Sequence, residues 1–190
     1  MPRNGRGLAQ AAPFDLGKVG GNPWHDRAGR FAFGPADGRG AGASAKARFG
    51  KHRLAVRKFV NRTLHVKDRT EAHTVGGVEQ TARIKAQTGH DLTGHTLIME
   101  NTALSHSLRH HGDPATEAAR GQEAISRDDF QHVPEVIQTG APSPFDMTRR
   151  GAPGITFIKS IGSAEYHVGT EVRAKAKQLA FKTMWKRPVK

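Results

Sequence analysis

Residues 155–187, ITFIKSIGSAEYHVGTEVRAKAKQLAFKTMWKR, hold three apolar runs separated by two short polar turns. In residues 165–173, Tyr166, Val168, Thr170 and Val172 fall on one side, and Glu165, His167, Gly169, Glu171 and Arg173 on the other. A period of two with one apolar side is the pattern of a strand that buries a single face. Residues 178–187 alternate similarly, with Leu179, Phe181, Thr183 and Trp185 set against Ala180, Lys182, Met184 and Lys186. Residues 155–161 are the third run. Turns this short join strands only as antiparallel neighbours.

Outward from this sheet, residues 139–154 (TGAPSPFDMTRRGAPG) are rich in Pro, Gly and Ser and read as a loop long enough to act as a flap. Ser126 is placed to cap a helix over 127–138, with Asp128 and Asp129 in the first turn, where the helix dipole favours negative charge. Phe130, Val133, Val136 and Ile137 would be its buried face. Residues 114–122 read as a polar connection, and residues 96–99 as a strand entering the domain. An earlier helix over 77–88 would stop at Gly89. Helices first and sheet last make the fold class α+β.

The chemistry concentrates in residues 102–122, TALSHSLRHHGDPATEAARGQ. A helix capped by Asn101 or Thr102 and ending at Gly112 puts Leu104, Leu108 and His111 on one stripe and His106, Arg109 and His110 on another. Histidine exchanges protons near neutrality, and arginine grips phosphate through a planar, permanently charged fork. With 11 histidines in 190 residues, a composition-driven cluster is the bland reading. His106 and His110, four apart, have the spacing of a helical zinc pair, but no Glu follows His106 and the chain has no Cys.

The run His106, Arg109, His110, His111 and Gly112, followed by Arg120, Gly121 and Gln122, Ile125, Asp128 to Phe130, Pro134 and Thr183 to Lys186, resembles a phage-associated nuclease group. That group contains barnase-, EndoU-, colicin- and RelE-like nucleases attached to phage head proteins and polymorphic toxins. The resemblance covers residues 89–186. It implies a metal-independent ribonuclease with no cofactor, in which helices precede a four-stranded antiparallel sheet. It also implies that the first helix and last strands face one cleft. His106, Arg109, His110, His111 and Thr183 are then the catalytic candidates, and Arg120, Gln122, His167 and Lys186 the substrate-binding ones. The histidine before glycine is doubled here: a spacing of five from His106 favours His111, while helix geometry places His110 beside His106. Thr183 and Lys186 have opposite strand parity, so both can line one cleft only if a bulge intervenes. The implied partners are RNA and an immunity protein.

Net charge is +13. Residues 1–90 hold 17 basic and 6 acidic side chains, residues 91–148 hold 3 and 9, and residues 149–190 hold 10 and 2. A polyanion is the natural partner of the two basic ends. The absence of Cys excludes disulfides, Cys-ligated zinc and a thiol nucleophile. No apolar run is long enough to span a membrane. The expected location is the cytoplasm of a target cell or the virion.

Three domains are expected: an arm over 1–50, a basic helix and linker over 51–75, and the nuclease-like domain over 76–190. Gly, Ala, Pro and Arg dominate the arm, a composition that favours disorder. It carries one aromatic island, GNPWHDRAGRFA from Gly21, which resembles a segment of tailed-phage portal and head proteins and would dock through Trp24. Residues 46–62 hold seven Lys/Arg, with Leu54, Val56, Phe59 and Val60 as an apolar stripe on a helix over 51–61. The alternative to a nuclease is a non-catalytic nucleic-acid-binding phage structural or packaging accessory protein.

Overall fold

A computed structural model describes residues 41–145 and 151–189. Residues 1–40 of the expected arm, with the Trp24 segment, lie outside them. The described residues form five α-helices and six strands. They are α1 (Ala41–Thr63), β1 (Ala72–Gly77), α2 (Thr81–Thr88), β2 (Thr96–Glu100), α3 (Asn101–His111) and α4 (Pro114–Ala119). A 3-10 turn (Arg127–His132) then runs into α5 (Val133–Thr139), followed by β3 (Ala141–Phe145), β4 (Gly154–Ile161), β5 (Ala164–Arg173) and β6 (Gln178–Pro188). The fold class is α+β, with one sheet ordered β1-β2-β6-β5-β4-β3.

The expected strands over 96–99, 155–161, 165–173 and 178–187 correspond to β2, β4, β5 and β6. Two more flank them. β1 lies in the stretch read as a linker, and β3 in the stretch read as a flap, where Ala141, Ser143 and Phe145 pair with Ile158, Thr156 and Gly154. Both are edge strands, whose short, half-polar sequences lack a buried period. The sheet is antiparallel except between β2 and β6, which run parallel from Thr96 opposite Gln178 to Ile98 opposite Ala180. Residues 114–119 are also helical rather than a plain connection: Asp113 caps α4 by accepting from the Thr116 amide at 2.8 Å.

One face of the sheet presents Ile155, Phe157, Val168, Phe181 and Met184, all fully buried, against Phe130, Val133, Val136 and Ile137. Phe130 meets Phe181 edge-on, with ring centroids 5.9 Å apart. The Ser126 cap forms as expected and is reciprocal, because the Ser126 side chain accepts from the Asp129 amide while the Asp129 carboxylate accepts from the Ser126 amide at 2.6 Å. The first half of the expected helix over 127–138 is a 3-10 turn, tightened around that cap.

Between β5 and β6 the register slips by one: Gly169 faces Thr183, but Thr170 faces Phe181. Lys182 is the extra residue of a β-bulge. The slip overturns the simple alternation read for this strand. Met184 joins Phe181 in the core, while Thr183 and Trp185 turn to the opposite face with His167, which pairs with Trp185 across the strands.

Helix α1 starts at Ala41, inside the stretch read as arm, and ends at Thr63. Phe49, Val56, Phe59 and Val60 are buried, whereas Leu54, expected on the stripe, is 45% exposed. Arg53 donates to Glu135 of α5. The helix is therefore part of the core of the unit 41–190, not a separate linker element.

Candidate active site

Helix α3 leaves β2 without a loop, and Asn101 makes the junction. Its side-chain oxygen accepts from the amides of Thr102 and Glu71 at 2.9 Å each, and its amide donates to the carbonyls of Val66 and Arg69 at 3.1 Å each. Ala103, Leu104 and Ser107 bury the back of the helix. That fixes which residues face out: His106, Arg109 and His110 are all exposed. The rings of His106 and His110 lie 4.3 Å apart between centroids, tilted by 45°. Burial of part of its ring lowers the pKa of His106 below the ordinary histidine value, and the neighbouring charges of His110, Arg109, His111 and Lys182 push the same way. Lys182, at the β6 bulge, is the weakest of these influences, and its Nζ pairs with Glu171 at 3.3 Å.

His111 stands apart from this pair. Its Nδ1 is 3.2 Å from an oxygen of Glu117, a carboxylate with no exposed side-chain surface. Arg120 donates to the other Glu117 oxygen at 2.6 Å and to the His110 carbonyl at 3.2 Å. The chain turns directly after His111 at Gly112, where a Cβ would sit 2.4 Å from the Leu108 carbonyl oxygen. The His111 ring centroid is 6.1 Å from that of Trp185, which stacks on His167 at 5.0 Å and 14°. His111 thus joins the helix to the sheet face that carries Thr183, Trp185 and His167. His167 is buried and bonded to Glu165 at 2.9 Å; burial lowers its pKa, with Glu165 pulling the other way.

The remaining candidates separate. Gln122 lies beside α4, its amide donating to the Glu117 carbonyl at 2.9 Å, and its side-chain oxygen is buried without a partner. The Thr183 hydroxyl and the Trp185 indole nitrogen are likewise buried and unpartnered among the described residues. Lys186 occupies the helix-packed face, three residues from Thr183 and on the other side of the strand. Its Nζ is 3.2 Å from both oxygens of Asp129, which also accepts from Tyr166 Oη at 2.6 Å. Burial alone would raise the pKa of Asp129, but the hydrogen bonds from Tyr166 and Ser126 and the Lys186 charge bring it below the ordinary value. Burial and the bond to Asp129 raise that of Tyr166.

Residues 74–190 match the family model described as phage-Barnase-EndoU-ColicinE5/D-RelE like nuclease3. The chain belongs to that nuclease family. The match covers more than half of the chain, begins within β1 and contains α3, α4 and the whole of β6. Comparison with curated proteins and with solved structures finds no match. Membership in this nuclease family is a statement about nucleic acid as substrate; the chemistry rests on the residues of this chain.

Glu117 and Lys182 were not singled out from the sequence, and Trp185 entered only within the run Thr183 to Lys186. Glu117 had a signal: Asp113-Pro114 starts a helix, which places Glu117 and Arg120 three residues apart on one side of it. The bulge had one too, since Phe181 and Met184 are apolar at a spacing of three with a polar pair between them.

Proposed function

We propose that the chain is a metal-independent endoribonuclease, in which an internal ribose 2′-OH attacks the adjacent phosphorus. The observation that carries this reading is the pair of imidazoles 4.3 Å apart on an exposed helix face, with Arg109 between them in sequence. Two imidazoles that close resist being protonated together. A neutral imidazole can accept the 2′-OH proton, and an imidazolium can give one to the departing oxygen. The lowered pKa of His106 favours it as the acceptor. Arg109 supplies positive charge where the phosphate becomes more negative in the transition state.

Thr183, Trp185 and His167 fit the role of a substrate wall beyond His111. Lys186 fits a supporting role, fixing β6 to the Asp129 cap. Residues 1–40 add salt-dependent affinity for the polyanion or a docking contact with a phage head or portal protein. A truncation that tests the arm is made after Gly40, because α1 is packed into the core.

The full chain is incubated with a single-stranded RNA and the same DNA sequence, in EDTA and with added magnesium or zinc. RNA fragments ending in a 2′,3′-cyclic phosphate, formed in EDTA and absent for DNA, are the expected result. Activity lost in EDTA and restored by metal, or equal cleavage of DNA, defeats the proposal. Binding of RNA without cleavage would favour the packaging-accessory reading.

A further inference from the structure

The His106–His110 pair does not identify the acid that protonates the leaving oxygen, and a fully buried carboxylate lies beside the third histidine. Glu117 has a side chain with no exposed surface, and both of its oxygens are occupied, one by Arg120 and one by His111. A buried carboxylate is costly unless it is paired and hydrogen-bonded, so this geometry is strongly enforced. The backbone enforces it further. The Ile125 amide donates to the His111 carbonyl at 2.8 Å, the Gly112 amide to Leu108 at 2.9 Å, and the Arg120 and Gln122 amides to Glu117 at 3.0 and 2.9 Å. His111 is therefore held at ring, carbonyl and following residue, whereas no carboxylate among the described residues pairs with His110.

We infer that Glu117 is a positioning residue that makes His111, rather than His110, the group that protonates the departing 5′ oxygen. This assignment rests on the ribonuclease reading. With Nδ1–H donated to Glu117, the proton available to substrate is on Nε2 of His111, as in a carboxylate–histidine pair whose acid anchors one ring nitrogen and leaves the other to work. The step balances without a co-reactant. The 2′ oxygen forms a bond to phosphorus and gives its proton to His106, the bond from phosphorus to the 5′ oxygen breaks, and that oxygen takes the proton from His111 Nε2. The products are a 2′,3′-cyclic phosphate and a 5′-hydroxyl. His106 ends protonated and His111 neutral, and exchange with water resets both. Glu117 remains a carboxylate throughout.

The test compares two substrates on the full chain: an RNA dinucleotide, whose alkoxide leaving group needs a proton, and a nucleoside 3′-(4-nitrophenyl) phosphate, whose phenolate leaves without one. For His111→Ala, kcat/KM on the dinucleotide should fall by about 10²–10⁴, and for Glu117→Gln by at least about tenfold. Both variants should lose much less on the aryl ester. His106→Ala should lose on both substrates, and His110→Ala should keep the parent's ratio of the two rates. A merely structural role for Glu117 would lower both substrates equally and overturn the inference, as would the leaving-group signature appearing in His110→Ala. His111→Ala keeps the argument testable if Glu117→Gln folds poorly, since it leaves Glu117 paired with Arg120. If the parent cleaves neither substrate, or His106→Ala matches it, the ribonuclease reading itself is what fails.

Discussion

Exposure at His106 is what separates chemistry from stability at the scale of single residues. Its ring touches His110 and solvent, and its backbone sits mid-helix, so His106→Ala should change stability by no more than about half a kcal/mol. The same change removes the proposed proton acceptor and should lower the rate of RNA cleavage by about 10²–10⁴. A base works only when deprotonated, so the rate climbs as pH rises through its pKa. Burial and the surrounding cations lower that pKa, so the acid limb of the parent's profile should lie below the ordinary histidine value of about 6.5. Rate measurements from pH 4 to 8 check this: a parent limb above 6.5, or an unchanged limb in the variant, contradicts the assignment. The histidine and arginine face was legible in the sequence because helical period alone puts residues 106, 109 and 110 together. The division of labour between His110 and His111 was not. It depends on Glu117, which meets His111 only because the chain reverses at Gly112 and starts α4 at Pro114.

At the scale of elements, two local devices set the site. One is the turn at Gly112. Any side chain there collides with the Leu108 carbonyl, so Gly112→Ala must shift the end of α3 or the start of α4. It should cost about 1–3 kcal/mol, the range for forcing atoms into a packed region. It should also weaken RNA cleavage more than the stability loss explains, because His111 moves with the backbone. Thermal melts and rates measured well below the melting temperature distinguish the two effects, and a variant with parental activity per folded molecule would show that the placement of His111 does not matter. The other device is the bulge at Lys182. Strand existence was readable for β4, β5 and β6 from alternation and turn chemistry, but a bulge shifts every later side chain by one face, and alternation alone cannot register it. Edge strands β1 and β3 escaped for a different reason, since their pairing supplies what their sequences do not advertise.

For the whole molecule, the family match and the folded unit have different limits. The match starts at Thr74, yet Val56, Phe59 and Val60 of α1 are almost completely buried beneath it. Each such side chain contributes on the order of 1.5–3 kcal/mol when buried, and the total stability of a domain is only about 5–15 kcal/mol. A fragment of residues 41–190 should therefore unfold cooperatively, and one of residues 74–190 should lack a cooperative melt by calorimetry. A sharp transition in the shorter fragment would show α1 to be dispensable. Fold class was legible because the last three strands follow the α-helices in an unbroken run. The inclusion of α1 was less so, because its seven basic residues resemble a nucleic-acid tether more than a core helix. The strand order has a further consequence, in time. β6 sits between β2 and β5, so a strand made early waits for one made about eighty residues later before it gains its inner neighbour. Synthesis proceeds at roughly 5–20 residues per second, so the nascent chain spends seconds with its histidine helix already made and the strand bearing Lys182, Thr183 and Trp185 still missing. A nuclease built this way lacks its complete sheet until that strand has been translated.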